Sequence, residues 1–143
     1  MPTLDERLPP QGWLLYTNER YGFSLFFPEY LSVKERDHGQ NSMTITFENV
    51  ERGEGFEIFV VPYIDAHVSE ARFRQDVPSG VRENPVDVMV HNVPAVAFFS
   101  KHDIGETAEV WFVYRGHLYE VATLKEHSVW LGNILQSWQF TQY

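Results

Sequence analysis

The sequence predicts an α+β domain built on a central, mostly antiparallel β-sheet with helices packed on both of its faces. Three observations carry that expectation. Met43, Ile45 and Phe47 alternate with Thr44, Thr46 and Glu48, the period-two pattern of a strand with one dry face. In segments 56–64 and 108–115 both alternating sets are largely apolar, so these strands need cover on each side. Finally, Leu131, Ile134, Leu135 and Trp138 fall at i, i+3, i+4 and i+7, one stripe of an α-helix that must bury itself against something.

The remaining elements follow in chain order. Residues 1–12 are polar and carry Pro2, Pro9 and Pro10, which predicts a tail, with one domain over 13–143. Aromatic-rich runs at 13–17 and 23–27 flank the polar turn Asn18-Glu19-Arg20, with Gly22 as a hinge and Pro28 as a stop. A short strand is expected at 31–35 and a loop at 37–41; the strand at 43–48 then leads through Arg52-Gly53-Glu54-Gly55 into 56–64. Phe56, Ile58 and Val60 form one face of that strand, and Phe59, Val61 and Tyr63 the other.

Ser69 is placed to cap a short helix carrying Ala71, Phe73 and Val77, with Pro78 and Gly80 ending it. After a loop over 75–85, strands at 86–90 and 95–101 flank Asn92-Val93-Pro94, and strands at 108–115 and 118–124 flank Arg115-Gly116-His117. Val110, Phe112 and Tyr114 should face one way, and Trp111 and Val113 the other. Ser128 stands where the last helix needs its cap, and Gly132 inside that helix costs roughly 1 kcal/mol relative to Ala. No internal repeat divides the chain.

The bulk properties narrow the function classes. With 143 residues, 43% apolar and 22% charged, the chain matches ordinary globular composition. Its 11 Phe, 7 Tyr and 4 Trp predict a ring-rich core. A net charge of −9, from 20 acidic and 11 basic residues, repels phosphate backbones, so nucleic acid is not an expected partner. No run of about 18 apolar residues is present, so no transmembrane segment is expected. The chain has no Cys, which removes disulfides and thiolate chemistry. As written, it reads as cytoplasmic; an export signal ahead of the given sequence would place it in the cell envelope.

A search for chemistry finds no catalytic constellation. None of the serines sits in a glycine-flanked elbow between strand and helix. Arg52-Gly53-Glu54-Gly55 leads into a strand and carries acids that repel phosphate. The six histidines lack the i, i+2 or i, i+4 spacing of paired metal ligands. The best local cluster is His102, Asp103 and Glu106, which offers one nitrogen and two carboxylates to a divalent ion; a solvated loop is the competing reading. Asp37-His38 is a weaker pair. Glu48, Glu51, Glu54 and Glu57 read as a solvated hairpin edge. Trp13, Tyr16, Tyr21, Phe23, Phe26 and Phe27 read as core more than as a ligand pocket. No catalytic residue, cofactor or resident metal is expected.

The order of these features carries a resemblance. The run Tyr21-Gly22-Phe23-Ser24-Leu25, Pro28, Ser32-Val33-Lys34-Glu35, Gly39 and Thr44-Ile45-Thr46-Phe47-Glu48-Asn49 resembles the opening of PsbP-type domains. Pro62, Phe73, the hairpin Val113-Tyr114-Arg115-Gly116-His117-Leu118-Tyr119 and the ending Ser137-Trp138-Gln139-Phe140 are similar to the later part of that family. The resemblance implies an α/β/α sandwich and a non-enzymatic accessory or protein-interaction role, as in photosystem subunits, a Ran-GTPase-release factor and bacterial lipoproteins. The expected partner is another protein, with a basic surface to meet the acidic chain. A small-ligand or divalent-metal binding protein is the alternative.

Overall fold

The computed structural model describes residues 5–103 and 105–141. Among them the chain forms β1 (Trp13–Asn18), β2 (Phe23–Pro28), β3 (Ser32–Gly39), β4 (Ser42–Asn49), β5 (Glu54–Pro62), α1 (Glu70–Asp76), β6 (Glu83–Val90), β7 (Val93–His102), β8 (Gly105–Tyr114), β9 (His117–Leu124), α2 (Ser128–Leu135) and β10 (Gln139–Phe140). Seven strands make the main sheet in the order β3-β4-β5-β9-β8-β7-β6, and β1-β2-β10 form a separate small sheet. Every pairing is antiparallel. Tight turns of left-handed residues join the later hairpins: His91 and Asn92 have φ of 46° and 66°, and Arg115 and Gly116 have φ of 45° and 81°. Two consecutive left-handed residues match the twist of the flanking strands.

The two-sided strands predicted from sequence divide as expected. Phe56, Ile58 and Val60 of β5 and Phe112 of β8 join the larger core, while Val61, Tyr63, Trp111 and Val113 join a smaller cluster on the opposite face. On the first side, here the inner face, Phe23, Leu25 and Phe27 of β2 and Leu131, Ile134 and Leu135 of α2 supply the cover. The Phe23 ring stacks on Trp138 with centroids 4.4 Å apart. On the outer face the cover is α1, whose Phe73 stacks on Trp111 at 4.8 Å.

The layers differ from the expected sandwich. The molecule is mostly antiparallel sheet, its two helices have only seven and eight residues, and the small β1-β2-β10 sheet provides much of the inner layer. The physical reason lies in β2, where five of six residues are buried: a strand that is apolar on both faces belongs between layers, not at a rim. Other differences are local. β3 runs through the segment expected as a loop at 37–41, because cross-strand pairing with β4 extends to Gly39↔Ser42. Ser69 caps α1 as expected, its Oγ accepting the Arg72 N–H at 3.1 Å. Ser128 does not cap α2; a 3-10 turn over Lys125–His127 leads into the helix, and His127 stands at the cap without a side-chain bond.

Candidate functional site

The register of β7 and β8 decides the fate of the His102-Asp103-Glu106 cluster. His102 lies opposite Gly105, and Lys101 lies opposite Glu106, so strand alternation sends His102 to the outer face and Glu106 to the inner one. His102 Nε2 lies 3.0 Å from Glu109 Oε2, and Glu106 Oε2 lies 3.0 Å from Lys125 Nζ. The Lys125 ammonium holds the Glu106 carboxyl below its ordinary value. The structure therefore does not bring these groups together. Among the described residues, no three His, Asp or Glu side chains are placed to hold a metal ion.

A polar network that sequence reading missed occupies the outer face instead. Glu109 is only 5% exposed, and it accepts hydrogen bonds from Thr107 Oγ1 at 2.8 Å and Trp111 Nε1 at 3.0 Å beside its His102 contact. These partners match what a buried carboxylate requires. Glu120, across from Trp111 on β9, is less well served: its Oε2 is buried with no hydrogen-bond partner. Burial, and then the neighbouring Asp76 carboxyl, push it up to about 10. Asp76 itself is tied to Arg72 at 2.8 Å within α1. The Asp76 carboxyl beside Glu120 links this polar patch of the sheet to α1.

The aromatic side chains near the N-terminal end are used for packing. Tyr16, Phe23 and Phe27 are buried in the larger core, with Trp13 and Tyr21 packed against it. The Arg7 guanidinium lies over the Phe26 ring at 4.4 Å. Asp5, bonded by Arg7 and by Ser24 Oγ at 2.6 Å, is held down to about 2, chiefly by Arg7.

The concavity that remains lies on the inner face, where the cover runs out. β1-β2-β10 and α2 cover the middle of the main sheet, and the end formed by β6, β7 and β8 is open beside α2. The result is a groove of about 630 Å³. Its floor is Val86 and Val88 of β6, Ala97 and Phe99 of β7, and Ala108 and Val110 of β8; its wall is Leu131, Gly132 and Leu135 of α2. The small floor residues Ala97 and Ala108 make the depression, and around Gly132 the space where a Cβ would sit is open.

Large apolar side chains are exposed here: Val86, at 57%, lines the groove and Val129, at 78%, adjoins its Ser128 edge, while Met89, at 61%, is turned to the opposite face of β6. His91 and Asn92 close one end. The Phe140 N–H donates to His91 Nδ1 at 2.9 Å, so a neutral His91 carries its proton on Nε2. The two edges of the main sheet contrast sharply. β3, at the far edge, carries Lys34, Glu35, Arg36 and Asp37 and is almost wholly exposed, the usual guard against pairing with another chain. β6 has Val86, Val88 and Val90 on its inward-facing positions and only Glu83 and Asp87 as charges.

Comparison with known proteins places the architecture in a class. No family model matches the sequence, and no curated protein matches it. The solution structure of cyanobacterial PsbP (CyanoP) from Synechocystis sp. PCC 6803 superposes with a TM-score of 0.64 at 12% identity, covering 96% of this chain and 98% of that one. A crystal structure from Bacteroides thetaiotaomicron VPI-5482 gives a TM-score of 0.54 at 13% identity, over 93% of this chain and 50% of that one. The chain has a PsbP-like fold. No helix among the described residues is long and apolar enough to cross a membrane.

Proposed function

We propose that this chain is a non-enzymatic accessory module that engages another protein through the groove between α2 and the β6–β8 end of the sheet. The observation that carries this reading is the half-covered inner face: an apolar depression with Val86 and Val129 exposed around it. Exposed apolar patches of this kind, bordered by polar groups, mark interaction surfaces. The PsbP-like fold supports the reading through the accessory role that the sequence resemblance implies.

Charge defines the partner further. On the groove side of the sheet and the turn before α2 stand Glu83, Glu106 and Glu126 with Lys101 and Lys125, while Asp87 lies on the opposite face of β6, across from Val96. Lys101 lies 3.7 Å from Glu83, Lys125 pairs with Glu106 at 3.0 Å, and His127 Nε2 lies 3.9 Å from Glu126. The net charge of −9 over the whole chain favours a partner whose apolar anchors are surrounded by basic residues.

Site-directed photo-cross-linking tests the proposal. A photoreactive residue replacing Val86 is expected to capture one protein from native lysate, with the cross-linked peptide carrying apolar residues flanked by Lys or Arg. The same residue replacing Lys34 on the opposite edge should capture nothing in common with it. Equal capture from both positions, or capture from position 34 alone, overturns the assignment.

A small uncharged apolar ligand is the second reading, favoured by the groove's volume, which falls within the roughly 300–1,000 Å³ of small-molecule sites. Tight binding of the neutral dye Nile red would favour it.

A further inference from the structure

We infer that the outer face carries a second, separate binding site: a small cavity in which the imidazole of His102 and the carboxylate of Glu57 receive an alkylammonium group. The groove on the inner face plays no part in it.

The cavity lies beyond the reach of α1. Phe73 of that helix packs on Phe98 of β7 and Trp111 of β8, and past it a space of about 260 Å³ opens over β4, β5, β9 and the start of β8. Small residues make the hollow. Thr46, Glu57, Ala122 and Glu109 stand side by side in one cross-strand row, and Ala122 leaves the gap between Glu57 and Glu109 unfilled. Gly55, which also lines the cavity, has no room for a Cβ, since one would meet the Phe47 carbonyl oxygen at 2.7 Å.

His102 is set into this cavity as an acceptor. Glu109 is 5% exposed and takes the Trp111 N–H at Oε1 and the Thr107 hydroxyl at Oε2. A carboxylate only accepts, so its 3.0 Å contact with His102 Nε2 puts the imidazole proton on that nitrogen. Nδ1 keeps its lone pair and has no protein partner among the described residues. The His102 ring lines the cavity, with its side chain 28% exposed. A buried carboxylate that fixes the tautomer of a partly exposed histidine readies the second nitrogen for a ligand.

The charges around the cavity select that ligand. No Lys or Arg lines it among the described residues. Lys34 lies across from Thr46, but stands 3.6 Å from Glu48. Glu57 is exposed and has no ion-pair or hydrogen-bond partner among the described residues. Glu120, the next outward residue along β9, is pushed up to about 10, first by burial, and so adds no charge at neutral pH. An ammonium brings the N–H donors that His102 Nδ1, the Glu57 carboxylate and the Thr46 hydroxyl oxygen accept, together with the charge that Glu57 lacks. An anion would meet repulsion, and a metal ion would find no three His, Asp or Glu side chains converging among the described residues. Ala122 and Leu124 supply apolar surface for the alkyl chain.

NMR of the isotope-labelled full chain tests the site, at mildly alkaline pH where an ordinary imidazole is neutral. In the free protein the ring-nitrogen spectrum should show His102 protonated on Nε2; the Nδ1–H tautomer would overturn the proposal. Titration with n-butylammonium and with Nα-acetyl-lysine amide should move the Nδ1 signal together with the amides of Glu57, Thr107 and Ala122. Butyrate should move none of them, and n-butanol should bind at least about fivefold more weakly. Glu57→Gln, at an exposed position that leaves folding intact, should weaken both ammonium probes by about fivefold. Glu109→Gln, whose amide can donate to Nε2 and send the ring proton to Nδ1, should abolish the Nδ1 shift. Tighter binding of the lysine amide assigns the site to a lysine side chain on a peptide, and tighter binding of n-butylammonium to a free amine. Butyrate or butanol binding as well as n-butylammonium, affinity unchanged in Glu57→Gln, or no shift at about 50 mM of either ammonium overturns the site.

Discussion

At the scale of single residues, the carboxyl groups facing α1 set how the molecule responds to pH. Glu120 is raised from 4.5 to about 10, first by burial and then by Asp76. Between those values the folded chain holds a proton there that the unfolded chain has released, so this group's contribution is complete below about pH 4.5 and is lost as pH rises through about 10. Asp5 has the opposite sign: its contribution is present above 3.8 and is lost as pH falls through about 2. Glu120→Gln should therefore flatten the decline in stability on the alkaline side, read as the urea midpoint at a series of pH values. An unchanged slope would refute the assignment of that decline to Glu120. Gly132→Ala should stabilise α2 by about 0.5–1 kcal/mol, since the added methyl meets no atom within 4 Å; thermal melting measures it. Little of this was legible in the sequence. His102 was noticed as a loop ligand, but its partner Glu109 follows only from strand register, which turns His102 away from Glu106.

Among the elements, α1 is the one whose attachment is most open to experiment. Ser69 caps it, and one ring, Phe73, inserts between Phe98 and Trp111. Ser69→Ala should cost about 1 kcal/mol. Phe73→Ala should cost about 3–5 kcal/mol and shift Trp111 emission to the red as solvent reaches the indole. A large stability loss with no spectral change would place the damage elsewhere. Strands with alternating or doubly apolar patterns were readable because burial writes its period into the sequence; β4, β5 and β8 are examples. β3 was read too short because an exposed edge strand of Lys34, Glu35, Arg36 and Asp37 has no dry face to betray it. β10 is two residues long, too short for any period, and exists because β2 offers it an edge. The capping of α2 was misread because Ser128 has the right chemistry while a preceding 3-10 turn already guides the chain into the helix.

The whole molecule is a layered arrangement in which one end of a large sheet lacks its second layer. That incompleteness was invisible in the sequence, since Val86, Val88, Ala97 and Val110 look like ordinary core residues until the cover over them is found to stop at α2. Substitutions there should separate folding from binding. Val129→Glu, at an exposed position beside the groove, is expected to change stability by no more than about 0.5 kcal/mol while abolishing cross-linking by a photoreactive residue replacing Val86; a large drop in melting temperature would show Val129 to be structural.

The pairing of β2 with β10 bears on how the protein is made. Phe26 N–H donates to Ser137 Oγ across 111 residues of sequence, and Phe23 stacks on Trp138. A chain under synthesis therefore carries its aromatic first hairpin without its closing partners until nearly all the other strands have been translated. Long-range closure of this kind slows folding and prolongs the exposure of sticky surface. Nascent chains stalled before Ser137 should be cut readily by protease between β1 and β2 and should recruit chaperones, whereas chains extended past Phe140 and clear of the ribosome should resist both.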